Sequence, residues 1–318
     1  MTTIRKATSV RAVLRAWAAL AILAGALALP GIACGPFAGR DARAEGGQPR
    51  LIGTGEPGAD GRNPDYPWID GSFQGSVASR LRTPFGHSRL DVERGSFAEW
   101  LRGLPLEPGR GVITMYDGSR ARTQRNHVAV VALDVGGSDL QQCADSIIRL
   151  RAEYLRVVGR EDEIAFHFTS GDLARWTDWR DGMRPTVRGN SVTWSRSASP
   201  DGSYGSFRRY LDTVFTYAGT HSLEKELEAV ENPALVEPGD LFIVGGFPGH
   251  AMLVVDVAEN RDGRRMFMLA QGLLPARDFH VVHDGGFIKE YWHRARSSGR
   301  FYAGGWPFAY TDLRRFRD

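Results

Sequence analysis

Thiol chemistry at an acyl carbon needs a nucleophilic sulfur, a base that takes its proton, and a polar group that holds the base in the productive tautomer. Two cysteines occur in the 318 residues, Cys34 and Cys143. Cys34 lies in an N-terminal apolar region, so Cys143 is the lone thiol of the remaining chain. A disulfide inside that part is excluded, and a lone thiol is either a core residue or a reactive group. The base candidate is His250, which follows Phe247-Pro248-Gly249 and opens an apolar run. Gln271 is the orienting candidate, because an amide oxygen can accept an imidazole N–H. Structural readings stand beside these: His250 as a strand end bonded to backbone, and Gln271 as a solvated residue. His127 also opens an apolar run, and His280 with His283 offers a metal pair. HExxH, CxxC, GxSxG and a Gly-rich phosphate loop are all missing from the sequence, so no metal or cofactor is expected.

The elements that must position these groups follow from spacing. Ser138 and Gln141 form a capping-box pattern that opens a helix running to about Val158, with apolar positions at Leu140, Cys143, Ala144, Ile147, Leu150, Tyr154 and Leu155. This puts Cys143 near a helix N-terminus, where unpaired N–H groups favour a thiolate well below the reference pKa of about 8.5. Strands are predicted at 111–117, His127 to Val135, Glu163 to Thr169, Asp240 to Val244, His250 to Val257, Arg265 to Gln271 and Asp278 to Val282. Helices are predicted after Ser96, from Ser206 to Ala218 and from Leu223 to Val230. Residues 170–200, with Trp176, Trp179 and Trp194, read as a loop-rich aromatic stretch. A hairpin turn centred between Asn260 and Arg261 pairs His250 directly with Gln271, on one face and with Cβ atoms roughly 5 Å apart; a slip of one residue would put them on opposite faces.

The N-terminus carries Arg5, Lys6, Arg11 and Arg15 without an acid, then an uncharged run from Ala16 to about Ala33 broken by Pro30. That is the pattern of an export signal over residues 1–33, too interrupted for a permanent span of roughly 20 apolar residues. Gly31-Ile32-Ala33-Cys34 resembles a lipoprotein box in which Cys34 is acylated and ties the protein to a membrane; Ala42-Arg43-Ala44 is the competing cleavage site for a soluble export form. Residues 34–65, rich in Gly, Pro, Arg and Asp, read as a flexible linker, and 66–318 as one α+β domain. Loss of residues 1–33 removes four basic groups and changes 40 basic against 37 acidic to 36 against 37. With no clustered Lys/Arg on the folded part, a nucleic-acid partner is not expected.

Gly95-Ser96-Phe97-Ala98-Glu99-Trp100-Leu101, Asp139-Leu140-Gln141-Gln142-Cys143-Ala144-Asp145, Phe215-Thr216-Tyr217-Ala218-Gly219-Thr220 and Gly245-Gly246-Phe247-Pro248-Gly249-His250-Ala251 resemble the bacterial domain-of-unknown-function family 4846 over roughly residues 65–317. The order Cys143, Pro238-Gly239-Asp240, Gly249-His250, Gln271 is distantly similar to NlpC-type cell-wall cysteine peptidases. That resemblance implies a papain-like core, a helix bearing the cysteine packed on an antiparallel sheet with large insertions. Cys143 would be nucleophile, His250 general base and Gln271 orienter, acting on an amide of a cell-wall peptide. The sequence departs from that pattern in reading Gln142-Cys143-Ala144-Asp145 where Asp-Cys-Ser-Gly is usual, and its oxyanion donor is a choice between Gln141 and Gln142. The alternative is a non-catalytic envelope binding domain of the same shape, using Trp176, Trp179 and Trp194 as an exposed ligand surface.

Overall fold

The structure, a computed structural model, describes residues 63–70, 73–283 and 290–317, all within the compact unit Gln48–Asp318. Residues 1–33, read above as an export signal, Cys34, Ala42-Arg43-Ala44 and most of residues 34–65, read as a linker, lie outside the described residues. Short helices α1 (Val77–Arg80) and α2 (Phe97–Arg102) flank β1 (His87–Arg89), and β2 (His127–Val130) leads to the long helix α3 (Cys143–Val157). A hairpin of β3 (Ala165–His167) and β4 (Leu173–Arg175), the short α4 (Trp176–Arg180), and a second hairpin of β5 (Met183–Arg188) and β6 (Ser191–Arg196) come next. Helices α5 (Tyr204–Tyr217) and α6 (Thr220–Glu226) run through β7 (Glu228–Ala229) to β8 (Leu241–Val244), β9 (His250–Asn260), β10 (Arg265–Gln271) and β11 (His280–Val282). The chain ends with β12 (His293–Arg294), the hairpin β13 (Arg300–Ala303) and β14 (Trp306–Ala309), and β15 (Leu313–Arg315).

The fold is α+β. Its main sheet has the order β2-β11-β10-β9-β8-β15-β7, with β1 added on β9 and β12 on β10, and these pairings are antiparallel. Both faces of its centre are covered. Ala251, Leu253 and Val255 pack with Ile147, Leu150 and Trp100 of the helical layer. Met252, Val254 and Val257 pack with Phe308, Leu313 and Phe242 on the other side. Burial on both faces explains why β9 is written as a nearly unbroken apolar run rather than an alternation. Each fully buried Leu, Val or Phe in these layers contributes about 1.5–3 kcal/mol.

Several expectations change. The helix expected from Leu223 to Val230 is α6, which ends at Glu226, and Glu228–Ala229 pair with β15 as a strand instead. Helix α3 begins at Cys143 and not at Ser138, because residues 138–142 are taken up by tight turns, with Leu140 N–H on Ser138 O and Gln142 N–H on Leu140 O. The Asp145 carboxylate then accepts from Gln142 N–H at 3.1 Å and caps the helix instead of Ser138. Residues 111–117 form isolated bridges and no strand, since Asp278 accepts Thr114 N–H and Gln124 accepts Ile113 N–H, side chains taking the place of a ladder. Residues 170–200 are no open loop: they hold α4 and the β5–β6 hairpin, whose mostly polar residues hide it from an apolar pattern.

Candidate functional site

Three chain segments converge at one end of the sheet: the start of α3, the start of β9 and the end of β10. Gly272, directly after β10, permits the first of these meetings. A Cβ there would lie 2.6 Å from Ser146 Oγ and 2.7 Å from Gln142 O, so only glycine lets the helix start press on the strand end. Cys143 is thereby the first residue of α3, half-buried and unpaired with any cysteine. The backbone N–H of Ala251, the residue after His250, is near enough to favour its thiolate. That favour is outweighed. Burial pushes the Cys143 thiol above its ordinary value and the Asp145 carboxylate adds to the push, so the lowered thiol pKa expected from the helix terminus is not found.

His250 and Gln271 are brought together, by a route the sequence did not suggest. At the hairpin, Glu259 faces Arg265 where pairing of His250 with Gln271 requires Asp262. An irregularity then shifts the register: Met268 faces Asp256 but Leu269 faces Val254, leaving Val255 as an extra residue on β9. Continued from Leu253 and Ala270, this register sets Gln271 opposite Met252, so His250 and Gln271 are diagonal neighbours on one face. A diagonal pair is within reach of long side chains. His250 Nε2 donates to Gln271 Oε1 at 2.7 Å, and both residues are buried. Trp306 and Phe308 of the β13–β14 hairpin cover the imidazole, with ring centroids 5.2 and 6.2 Å away. Burial holds the His250 pKa below its ordinary value, against the opposing bond to Gln271. Among the described residues, no hydrogen bond joins His250 Nδ1 to the Cys143 thiol, and Nδ1 has no other partner.

The remaining candidates are engaged elsewhere. Gln141 donates to Asp134 O at 3.1 Å and accepts from the Arg149 guanidinium at 2.9 Å, and the Gln142 amide reaches Asp139 at 3.2 Å, so neither side chain is poised as an oxyanion donor. His283 bonds Arg125 O, and among the described residues no three His, Cys, Asp or Glu side chains gather as a metal site. Trp176 and Trp179 are buried, and the half-buried Trp194 stacks on Phe168, so the exposed aromatic surface required by the binding-domain alternative is not there. Sequence reasoning missed His280 and Trp306 as parts of this site. His280 faces Gln271 directly across β10 and β11, and a correct register would have found it.

The family described as domain of unknown function 4846 matches residues 77–315. The chain belongs to this family. The matched span takes in Cys143, His250, Gln271, His280 and Trp306, so the convergent strand ends lie wholly inside the family domain. No curated protein and no solved structure matches the chain.

Proposed function

We propose that the protein is an exported envelope hydrolase of papain-like, NlpC-type core that cleaves an amide bond of a cell-wall peptide through Cys143. The observation that carries this reading is the bonded pair His250–Gln271 at the strand ends where the Cys143 helix begins, with Nδ1 as the imidazole nitrogen left without a partner. Because burial raises the thiol and lowers the imidazole, the resting pair is neutral thiol and neutral imidazole. Proton transfer then accompanies attack: Cys143 Sγ bonds the carbonyl carbon while its proton passes to His250 Nδ1. The backbone N–H groups at the start of α3 face the developing oxyanion. His250 returns the proton to the leaving amine, the C–N bond breaks, and a thioester remains. Water, deprotonated by His250, cleaves the thioester to carboxylate and restores the thiol. A hydrogen bond between thiol and imidazole that is absent at rest fits a site that tightens once substrate is bound. A membrane tether through Cys34 belongs to the same proposal.

Incubation of the protein with purified peptidoglycan, products read by mass spectrometry, is expected to release new peptide termini. Cys143→Ala should lower that release by roughly 10³-fold or more while retaining the melting temperature, as loss of a nucleophile does. Equal release by Cys143→Ala would overturn the assignment.

A further inference from the structure

We infer that His280 is a positioning residue that selects the working tautomer of His250 through Gln271; the inference rests on the reading of His250 as the base. His280 Nδ1 lies 2.8 Å from the carbonyl oxygen of Asp278. A carbonyl oxygen only accepts, so Nδ1 carries the proton. The ring is buried, and this burial pushes its pKa down to about 4, with His127, Arg277 and His250 adding in the same direction. At neutral pH, His280 Nε2 is therefore a bare lone pair. The group facing it at 3.4 Å, on the strand partner Gln271, must be the amide NH2. An amide whose NH2 is turned to His280 turns its oxygen to His250, and at 2.7 Å that oxygen requires the proton on His250 Nε2. Nδ1 of His250 is left as the acceptor.

The direction of every bond in this chain, Asp278 carbonyl, His280, Gln271, His250, thus follows from one fixed carbonyl. Gln271 alone does not supply it. Free of His280, its amide can rotate by half a turn and offer NH2 to His250 Nε2, which puts the imidazole proton on Nδ1 and removes the base. His127 is the other ring beside His280, with centroids 6.0 Å apart, and its Nε2 is taken by Gly111 O at 3.2 Å, so it does not compete for His280 Nε2.

The test reads the tautomer itself. Imidazole ¹⁵N spectra of the full chain at pH 7, with the His250 signals assigned by their loss in His250→Ala, are expected to show the proton on Nε2 in the wild type. His280→Phe keeps a ring but offers no acceptor, and should give a mixture with Nδ1–H. His280→Gln places an amide oxygen near the lost Nε2 and should restore the wild-type pattern. Cys143-dependent peptide release should follow, with kcat reduced by about ten-fold or more in His280→Phe and KM little changed, the signature of a base in the wrong tautomer. Should His280→Phe fail to fold, Gln271→Met cuts the chain one link nearer and is read in the same spectra. Nδ1–H in the wild type, or an unchanged His250 tautomer in a folded His280→Phe or Gln271→Met, overturns the inference. A tautomer that shifts in a protein without Cys143-dependent release leaves the positioning chain standing and removes the hydrolase reading alone.

Discussion

At the thiol, four influences compete, and burial wins. The α3 terminus and the Ala251 N–H favour the thiolate, whereas loss of water and the Asp145 carboxylate oppose it. Asp145 is itself buried, and burial lifts its pKa to about 8 although Gln142 N–H bonds one oxygen. Iodoacetamide labelling of Cys143 in the native protein should accordingly be slow at pH 6 and accelerate only above the ordinary thiol range. Asp145→Asn, which retains the acceptor for Gln142 N–H, should move the labelling profile to lower pH. Fast labelling of the wild type at pH 6 would contradict this balance of influences. The same carboxyl makes a stability prediction. Its folded pKa is raised above the unfolded value of about 3.9, so the native state holds the proton more tightly, and stability is full below about pH 4 and falls as pH rises toward 8. Asp145→Asn should remove that slope, seen as a higher melting temperature than wild type at pH 9 and no gain at pH 4. The identities Cys143, His250 and Gln271 were readable from residue type and order; the direction of the thiol's shift was not, because desolvation comes from residues distant in sequence.

Between elements, the site depends on parity and on two close approaches. The hairpin turn is longer than its residues suggested, displacing the register by an odd number of positions, which alone would set His250 and Gln271 on opposite faces. The extra Val255 makes the offset even and restores the shared face. No local signal in a run as uniformly apolar as Ala251 to Val255 marks which residue is extra. The second approach, beside that of α3 on Gly272, comes from the β13–β14 turn. A Cβ on Gly304 would lie 2.5 Å from Gln271 Nε2 and 2.7 Å from Met252 Cε, and its φ of +55° is a left-handed conformation that β-branched residues avoid. Gly304→Val should displace the Gln271 amide and lower peptide release by about ten-fold or more, together with a stability loss of roughly 1–3 kcal/mol. Gly305 is the control. Its φ is +92° with open space around it, so Gly305→Ala should cost about 1–2 kcal/mol through backbone strain while leaving kcat unchanged. Equal loss of activity in both variants would mean that the turn acts through stability and not through Gln271.

On the scale of the whole molecule, a sheet covered on both faces holds the site at one end, and the proposed tether lies at the other end of the sequence. If Cys34 is acylated, the protein should fractionate with membranes and take up a fatty-acyl label, and Cys34→Ser should release it to the soluble fraction. Release equal to wild type would favour cleavage after Ala44. Hydrophobic spacing was enough to determine, from the sequence by itself, the α+β class, the central strands β8, β9 and β10 and the long helix ending near Val157, and residue type and order singled out the three residues proposed for chemistry, because periodicity and residue type are local properties. The tertiary structure alone decided the rest. It started α3 at Cys143 through Asp145, buried Trp176 and Trp179 in place of displaying them, inserted the Val255 irregularity, and set His280 behind Gln271. Each of these depends on which surfaces lose water and which strands lie opposite, quantities that exist only once segments far apart in the chain have packed together.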